Sequence, residues 1–98
     1  MSRFKDLIDG EKPVLIDFTA SWCGPCKMMS PILQNVKNEL VDRITIIKVD
    51  IDVNPAAATS FNVQGVPTLI LYKKGHLLWR QSGVIPVEQL KSILLTHA

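Results

Sequence analysis

The two cysteines of this 98-residue chain constrain its fold more than any other feature, because only two residues separate them. They lie in the segment 22–27 (WCGPCK), which follows the apolar run 14–18 and precedes a segment of helical periodicity. The pair therefore stands at a junction between a strand and a helix. If the helix begins near Cys23, side chains at positions i and i+3 share one face. Their spacing then suits a disulfide, which needs Cα atoms about 4.4 to 6.8 Å apart.

A cysteine in the first turn of a helix is also suited to thiol chemistry. The free backbone N–H groups and the positive end of the helix dipole should lower the pKa of its thiol below the value of about 8.5 for free cysteine. We therefore expect the pair to be redox active. The alternatives are a structural disulfide or half of a zinc site, but His76 and His97 are twenty-one residues apart and the chain has no further cysteine.

Length and composition predict one domain, residues 1–98, with its own hydrophobic core. Eleven basic and nine acidic residues are scattered along the chain, and the net charge of +2 gives no basic surface for a nucleic acid. The start of the chain lacks the apolar stretch of a secretory signal, and no run of about 18 apolar residues predicts a membrane span. We expect a soluble, cytoplasmic monomer, although a mature form whose leader was removed would look the same.

Hydrophobic periodicity predicts alternating helices and strands. We expect a short helix that ends at Gly10, a buried strand at 14–19, a long helix at 27–40, a strand at 44–49, a short helical segment at 55–61, strands at 68–72 and 76–81 joined by a tight turn, and a last helix after Pro86. The apolar positions of the long helix include both Met28 and Met29, and Pro31 should kink it. The strands on either side of this helix form a parallel βαβ unit, which predicts an α/β fold.

Asp17 is the exception in the first strand. Its side chain points to the face of the strand opposite to that of residues 14, 16 and 18, and the residues before and after it in the chain are apolar. An edge-strand carboxylate facing water is one interpretation. Burial is the better one, and because a buried, unpaired carboxylate is costly unless it titrates or is used, we expect a functional role.

Taken together, these residues resemble the thioredoxin family over nearly the whole chain. A lone CxxC pair is weak evidence, but several landmarks in family order are specific. They are Val14-Leu15-Ile16-Asp17-Phe18, Trp22-Cys23-Gly24-Pro25-Cys26-Lys27, Pro31, Lys48-Val49-Asp50, Gly65-Val66-Pro67-Thr68 and Gly83. The resemblance implies a thioredoxin fold, with a central mixed sheet flanked by helices on both faces. Two features depart from the family. Thr19 stands where a second tryptophan is common, and the N-terminal segment is too short for the usual first strand and full first helix, which predicts about four strands.

The resemblance also implies an activity, protein disulfide reduction by a pair that cycles between dithiol and disulfide. Cys23 would attack a substrate disulfide as a thiolate, and Cys26, the more buried of the two, would then attack Cys23 and release the reduced substrate. Asp17, through a water molecule, would accept the proton of Cys26. No metal and no cofactor other than this disulfide are expected. The implied partners are a thioredoxin reductase and disulfide-containing proteins.

The resemblance further places a substrate-binding surface around the disulfide, formed by Trp22, Gly24, Pro25, Val66, Pro67 and Gly83. Pro67 would be cis, so that Val66 offers its main-chain N–H and C=O to an extended substrate, and Trp22 would form an apolar lip. Lys48 and Lys27 would lie beside the reacting groups, with Lys48 near enough to Asp17 to affect its pKa. The alternatives to a reductase are a redox-inactive interaction module of the same fold, an exported thiol-disulfide carrier and a zinc-binding module.

Overall fold

The computed structural model describes the backbone of residues 2–97 and the side chains of residues 5–97. The elements in chain order are α1 (Ser2–Asp9), β1 (Val14–Thr19), α2 (Gly24–Leu40), β2 (Thr45–Asp50), α3 (Pro55–Ser60), β3 (Thr68–Lys73), β4 (His76–Ser82) and α4 (Val87–His97). A short 3-10 turn, Val41–Arg43, joins α2 to β2. The order of elements predicted from periodicity is confirmed, with small shifts at their ends. Within residues 2–97, no helix is long and apolar enough to span a bilayer.

The four strands form one mixed sheet in the order β2-β1-β3-β4. β1 is parallel to β2 and antiparallel to β3, and β3 is antiparallel to β4. The predicted βαβ unit and the predicted four-stranded mixed sheet are therefore confirmed. Because β1 lies inside the sheet, its Asp17 has a neighbour on each side, Lys48 of β2 and Leu69 of β3.

The two faces of β1 belong to two separate hydrophobic cores, as its alternation predicts. On one face, Leu15 packs in a cluster with buried residues of α2 and α4. On the other, Val14, Ile16 and Phe18 pack in a cluster that also includes residues of α1 and α3. Helices therefore cover both faces of the sheet. Burial of each large apolar side chain contributes about 1.5 to 3 kcal/mol, so the stability of the sheet rests on both layers.

Helix α2 starts immediately after Cys23, its N-cap residue, and runs without interruption through Pro31. The kink expected at Pro31 stays a prediction. Met28, one of the apolar positions of the predicted helical pattern, does not belong to the buried face of α2, because it is 60% exposed. The buried stripe of α2 consists of Cys26, Met29, Leu33, Val36 and Leu40. This stripe follows the i, i+3, i+4 rule, and a residue directly before Met29 points about 100° away from it.

The turn between β3 and β4 also supports α1. Lys74 and Gly75 have positive φ angles of 54° and 77°, which is typical of a two-residue type I′ hairpin turn. Their N–H groups donate to the carbonyls of Gly10 and Ile8, each at 2.8 Å. The end of α1 thereby finds donors for carbonyls that a helix terminus leaves free. The side chain of Phe4, which the sequence places on the apolar face of α1, lies outside the described residues.

Candidate active site

The two cysteines form a disulfide at the N-terminus of α2, with their Cα atoms 5.3 Å apart, as their spacing predicts. Their exposures are 4% for Cys23 and 3% for Cys26. Cys26 is the more buried of the two by only one percentage point, so burial hardly distinguishes the cysteines in the oxidised protein. Ala20 packs with both cysteines in one small cluster, against which the half-buried Ile51 and Val66 also pack. This shared cover shields the two sulfur atoms alike.

Position on the helix distinguishes the cysteines where burial does not. Cys23 is the N-cap residue, and its Sγ accepts a hydrogen bond from the backbone N–H of Cys26 at 3.1 Å. The sulfur of Cys23 thus occupies the place of a capping oxygen, where free N–H groups and the helix dipole favour negative charge. Cys26 lies inside the first turn. In the reduced protein this arrangement favours the thiolate form of Cys23.

The segment between α3 and β3 brings a backbone carbonyl to the disulfide. The peptide bond between Val66 and Pro67 is cis. The carbonyl oxygen of Val66 lies 3.7 Å from Sγ of Cys23. On the other side of this segment, the N–H of Gly83 donates to the carbonyl of Pro67 at 2.9 Å, and Gly83 has a φ of 96° that favours glycine. The structure therefore brings Val66, Pro67 and Gly83 together; their role in substrate binding stays a prediction.

Two side chains secure this segment at its ends, and sequence reasoning identified neither contact. Thr68 Oγ1 donates to the carbonyl of Gly65 at 2.7 Å. Arg80 of β4 crosses to the end of α3, where Nη1 donates to the carbonyl of Phe61 at 2.7 Å and Nη2 to that of Asn62 at 2.9 Å. A guanidinium that binds two successive carbonyls fixes both position and orientation. The segment that carries Val66 is thus tied to the sheet at both ends.

Trp22 lies at the rim of the site with 67% of its surface exposed. Its indole Nε1 donates to Oδ2 of Asp52 at 2.7 Å. Asp52 belongs to the turn after β2, where Oδ1 of Asp50 accepts the N–H groups of Asp52 (2.8 Å) and Val53 (3.2 Å). The turn therefore holds the tryptophan in place although little covers its ring. Sequence reasoning missed Asp52, since only the folded sheet brings it near residue 22.

Asp17 is 1% exposed, and its Oδ1 has no hydrogen-bond partner. It shares the α2-facing side of β1 with Leu15, so it faces the buried stripe of α2 that includes Cys26. Burial raises the pKa of Asp17 from 3.8 to about 6, and the charge of Lys48 offsets part of this rise. The expectation of a buried carboxylate near Lys48 agrees with this placement.

The remaining candidate residues lie on the surface. Gly24, Pro25 and Lys27 are exposed around the first turn of α2. Lys48 is exposed as well, but its Nζ donates to Oγ of Ser30 at 2.9 Å. The side chains of residues 5–97 include no group of three or more histidine, cysteine, aspartate or glutamate residues that could hold a metal ion.

Comparison with known proteins gives consistent matches. The thioredoxin family model matches residues 1–96. A thioredoxin from Alicyclobacillus acidocaldarius is 42% identical over 93 residues, which cover 95% of this chain and 89% of that protein. A bifunctional thioredoxin reductase/thioredoxin from Mycobacterium leprae is 44% identical over 82 residues, covering 84% of this chain and 18% of that protein. The structure of a mutant thioredoxin from Halobacterium salinarum has a TM-score of 0.88 and 31% identity, and the match covers 99% of this chain and 84% of that one.

Proposed function

Because the chain belongs to the thioredoxin family and is a thiol-disulfide oxidoreductase, we propose that Cys23 is the thiol that attacks substrate disulfides and Cys26 the thiol that releases them. One observation carries this assignment. The N–H of Cys26 donates to Sγ of Cys23 at 3.1 Å, so Cys23 alone has its sulfur at the N-cap position of α2. A thiolate there is stabilised by the helix and is ready to attack at neutral pH.

The proposed reaction is a two-step disulfide exchange. The Cys23 thiolate attacks one sulfur of the substrate disulfide, the substrate S–S bond breaks, and the other substrate sulfur leaves as a thiolate that takes up a proton. A mixed disulfide then joins Cys23 to the substrate. The deprotonated Cys26 attacks Sγ of Cys23 and expels the second substrate thiolate. Two electrons pass from the protein dithiol to the substrate, and the Cys23–Cys26 disulfide forms.

We assign the removal of the Cys26 proton to Asp17, directly or through a water molecule. The carboxyl group is buried on the side of β1 that faces α2, and its pKa of about 6 leaves it largely ionised at neutral pH. A base whose pKa lies near the working pH accepts a proton readily and can also give it up again. The orphaned Oδ1 of Asp17 supports this role, because a buried acceptor without a partner is costly unless the reaction uses it.

The proposed substrate-binding surface surrounds the disulfide. An extended substrate segment would pair with the main chain of Val66, whose carbonyl already lies 3.7 Å from Sγ of Cys23. Trp22 would supply an exposed apolar lip. The remaining members of this surface are Gly24, Pro25, Pro67 and Gly83. Main-chain pairing gives affinity with little dependence on sequence, which suits a reductase that acts on many proteins.

A thioredoxin reductase is the proposed partner that restores the dithiol, since each turnover leaves the pair oxidised. By its name, the Mycobacterium leprae relative joins thioredoxin reductase and thioredoxin in one chain, which supports this pairing. We further propose that the protein acts as a single-domain monomer in the cytoplasm, where such a reductase could keep it reduced.

The test of the cysteine roles compares two variants, Cys26→Ser and Cys23→Ser, in their reduced forms. After incubation with insulin, covalent adducts are separated under non-reducing conditions and identified by mass spectrometry. We expect the Cys26→Ser variant to accumulate a mixed disulfide at Cys23, because the releasing thiol is absent, and the Cys23→Ser variant to form far less. Equal trapping by both would contradict the assignment. Failure of the wild-type dithiol to reduce insulin at all would contradict the proposed reaction.

A further inference from the structure

Lys48 has two polar neighbours and binds one of them. Its position in β2 is paired in register with Asp17 of β1, and both side chains lie on the face of the sheet that α2 covers. The ion pairs among the described side chains do not join Lys48 to Asp17. The ammonium group instead donates to Oγ of Ser30 at 2.9 Å. The side chain of Ser30, in α2, therefore fixes the position of the positive charge of Lys48.

Ser30 also lies close to the reacting groups, so the place at which it holds the Lys48 ammonium group affects their electrostatic surroundings. It follows Cys26 by four residues, so the two side chains lie one turn apart on the same side of α2. Its side chain is half-buried, whereas Lys48 is exposed. A lysine ammonium on a flexible four-carbon stem is strongly hydrated and returns to solvent unless something holds it. The Ser30 hydroxyl is the contact that holds it against the site.

We infer that Ser30 is a positioning residue, which holds the Lys48 ammonium beside Asp17 and thereby sets how strongly that carboxyl group binds its proton. The inference rests on the proposed role of Asp17 as the base for Cys26. The Ser30 hydroxyl, which lies outside the cysteine motif, would thus control the protonation of Asp17 through Lys48, without touching the carboxyl group itself.

The surroundings of Asp17 make Lys48 the adjustable charge. From β3 the register neighbour is Leu69, which carries no charge, and from α2 the facing Cys26 does not titrate while it is in the disulfide. Burial raises the pKa of Asp17 and the charge of Lys48 lowers it. The burial is fixed by the packing of the sheet against α2. The effect of Lys48 depends on how near its ammonium is held.

The first measurement follows the carboxyl carbon of Asp17 by NMR while the oxidised protein is titrated. In the Ser30→Ala variant the pKa of Asp17 should rise by roughly 0.5 to 1, less than the effect of a fully adjacent opposite charge because Lys48 is exposed. Ser30→Thr keeps a hydroxyl and should restore the wild-type value. Ser92→Ala, an exposed serine in α4, is the matched control and should leave the titration unchanged. Alanine is favourable in a helix, so the variants should fold.

Lys48→Met provides the second arm. This change alone should raise the pKa of Asp17, and adding Ser30→Ala to it should produce no further rise, because the hydroxyl then has no ammonium to hold. If the pKa of Asp17 is unchanged or lower in Ser30→Ala, the inference is overturned. Fully additive shifts in the double variant overturn it as well.

The third measurement separates this inference from the role of Asp17 as a base. The release of a preformed mixed disulfide by Cys26 is timed across pH in the wild type and in Ser30→Ala. If Asp17 is the base, the inflection of the rate profile moves upward together with the pKa measured by NMR, and Ser30→Thr restores it. A raised pKa with an unmoved rate profile would support the action of Ser30 on Asp17 and refute Asp17 as the base.

Discussion

Replacement of Asp17 by asparagine should make the protein more stable relative to wild type as the pH rises from 4 to 7.5, and it should slow the reaction. The carboxyl group is 1% exposed and its Oδ1 has no partner, so its charged form is unfavourable in the folded protein. The variant Asp17→Asn has nearly the same shape and never becomes charged. It also lacks the proposed base for Cys26, so its mixed disulfides should be released more slowly.

The magnitude follows from the pKa of Asp17, which burial raises from 3.8 to about 6. The folded state thus binds this proton more tightly than the unfolded state does. The resulting stabilisation is fully present below about pH 4 and is lost as the pH rises through about 6. A difference of about 2.2 in pKa, at 1.36 kcal/mol for each pKa unit, corresponds to about 3 kcal/mol.

The new side-chain amide brings N–H donors into a buried place, where an unpaired donor costs about 1 to 3 kcal/mol at every pH. We therefore base the prediction on the change between two pH values. Relative to wild type, the free energy of unfolding of Asp17→Asn should rise by about 2.4 kcal/mol between pH 4 and pH 7.5, because about 0.6 kcal/mol of the total is already lost at pH 4.

Urea unfolding of the oxidised proteins at both pH values measures this change directly. Asp6→Asn, an exposed aspartate on α1, serves as the control, and its free energy of unfolding should differ from wild type by no more than about 0.5 kcal/mol. If the stability of Asp17→Asn relative to wild type is the same at both pH values, or falls at pH 7.5, the carboxylate is solvated or paired in the folded protein. Asp17 would then lack the burial that brings its pKa near neutral pH, and its role as the base would be refuted.

Two further predictions concern contacts that hold the edges of the site. Asp52→Ala removes the acceptor of the Trp22 indole, so the KM for insulin reduction should rise about two- to fivefold with kcat nearly unchanged, because the hydrogen bond is exposed and its net contribution is modest. Asp42→Ala is the control, and a wild-type KM in Asp52→Ala would contradict the role of that contact. Arg80→Lys cannot bind two carbonyls in the same way and should lower the free energy of unfolding in urea by about 1 kcal/mol. Arg43→Lys, in the 3-10 turn, should change it less, and equal effects would argue against the two-carbonyl contact.

The sheet could be predicted well from local sequence patterns, because successive residues of β1 point to opposite faces and their order in the sequence indicates which core each one faces. Asp17 could be recognised as buried for the same reason, since apolar residues flank it on a strand of central type. Periodicity was less decisive in α2. Met28 and Met29 are adjacent and equally apolar, and only the contact of the helix with the sheet selects Met29 for the core. The centre of a helical stripe is set by packing.

The parts of the site whose residues are close together in the sequence could be predicted. The contacts between residues that only the fold brings together were harder to predict. The spacing of Cys23 and Cys26 was enough to predict their disulfide. The acceptors of Trp22 and Lys48, which are Asp52 and Ser30, belong to other elements, and no local signal connects them. The equal burial of the two cysteines also follows from tertiary contacts, because residues of distant segments cover both sulfurs.

The hydrogen bonds from the β3–β4 turn to the end of α1 have a consequence for synthesis on the ribosome. The carbonyls of Ile8 and Gly10 are made early, but their donors, the N–H groups of Gly75 and Lys74, are made only after β3. In a nascent chain that ends before this turn, the carbonyls of Ile8 and Gly10 lack these two donors. Helix α1 is therefore translated well before the donors that its C-terminal end binds. Val66 is translated late too, so the cysteines leave the ribosome well before the carbonyl that lies beside them.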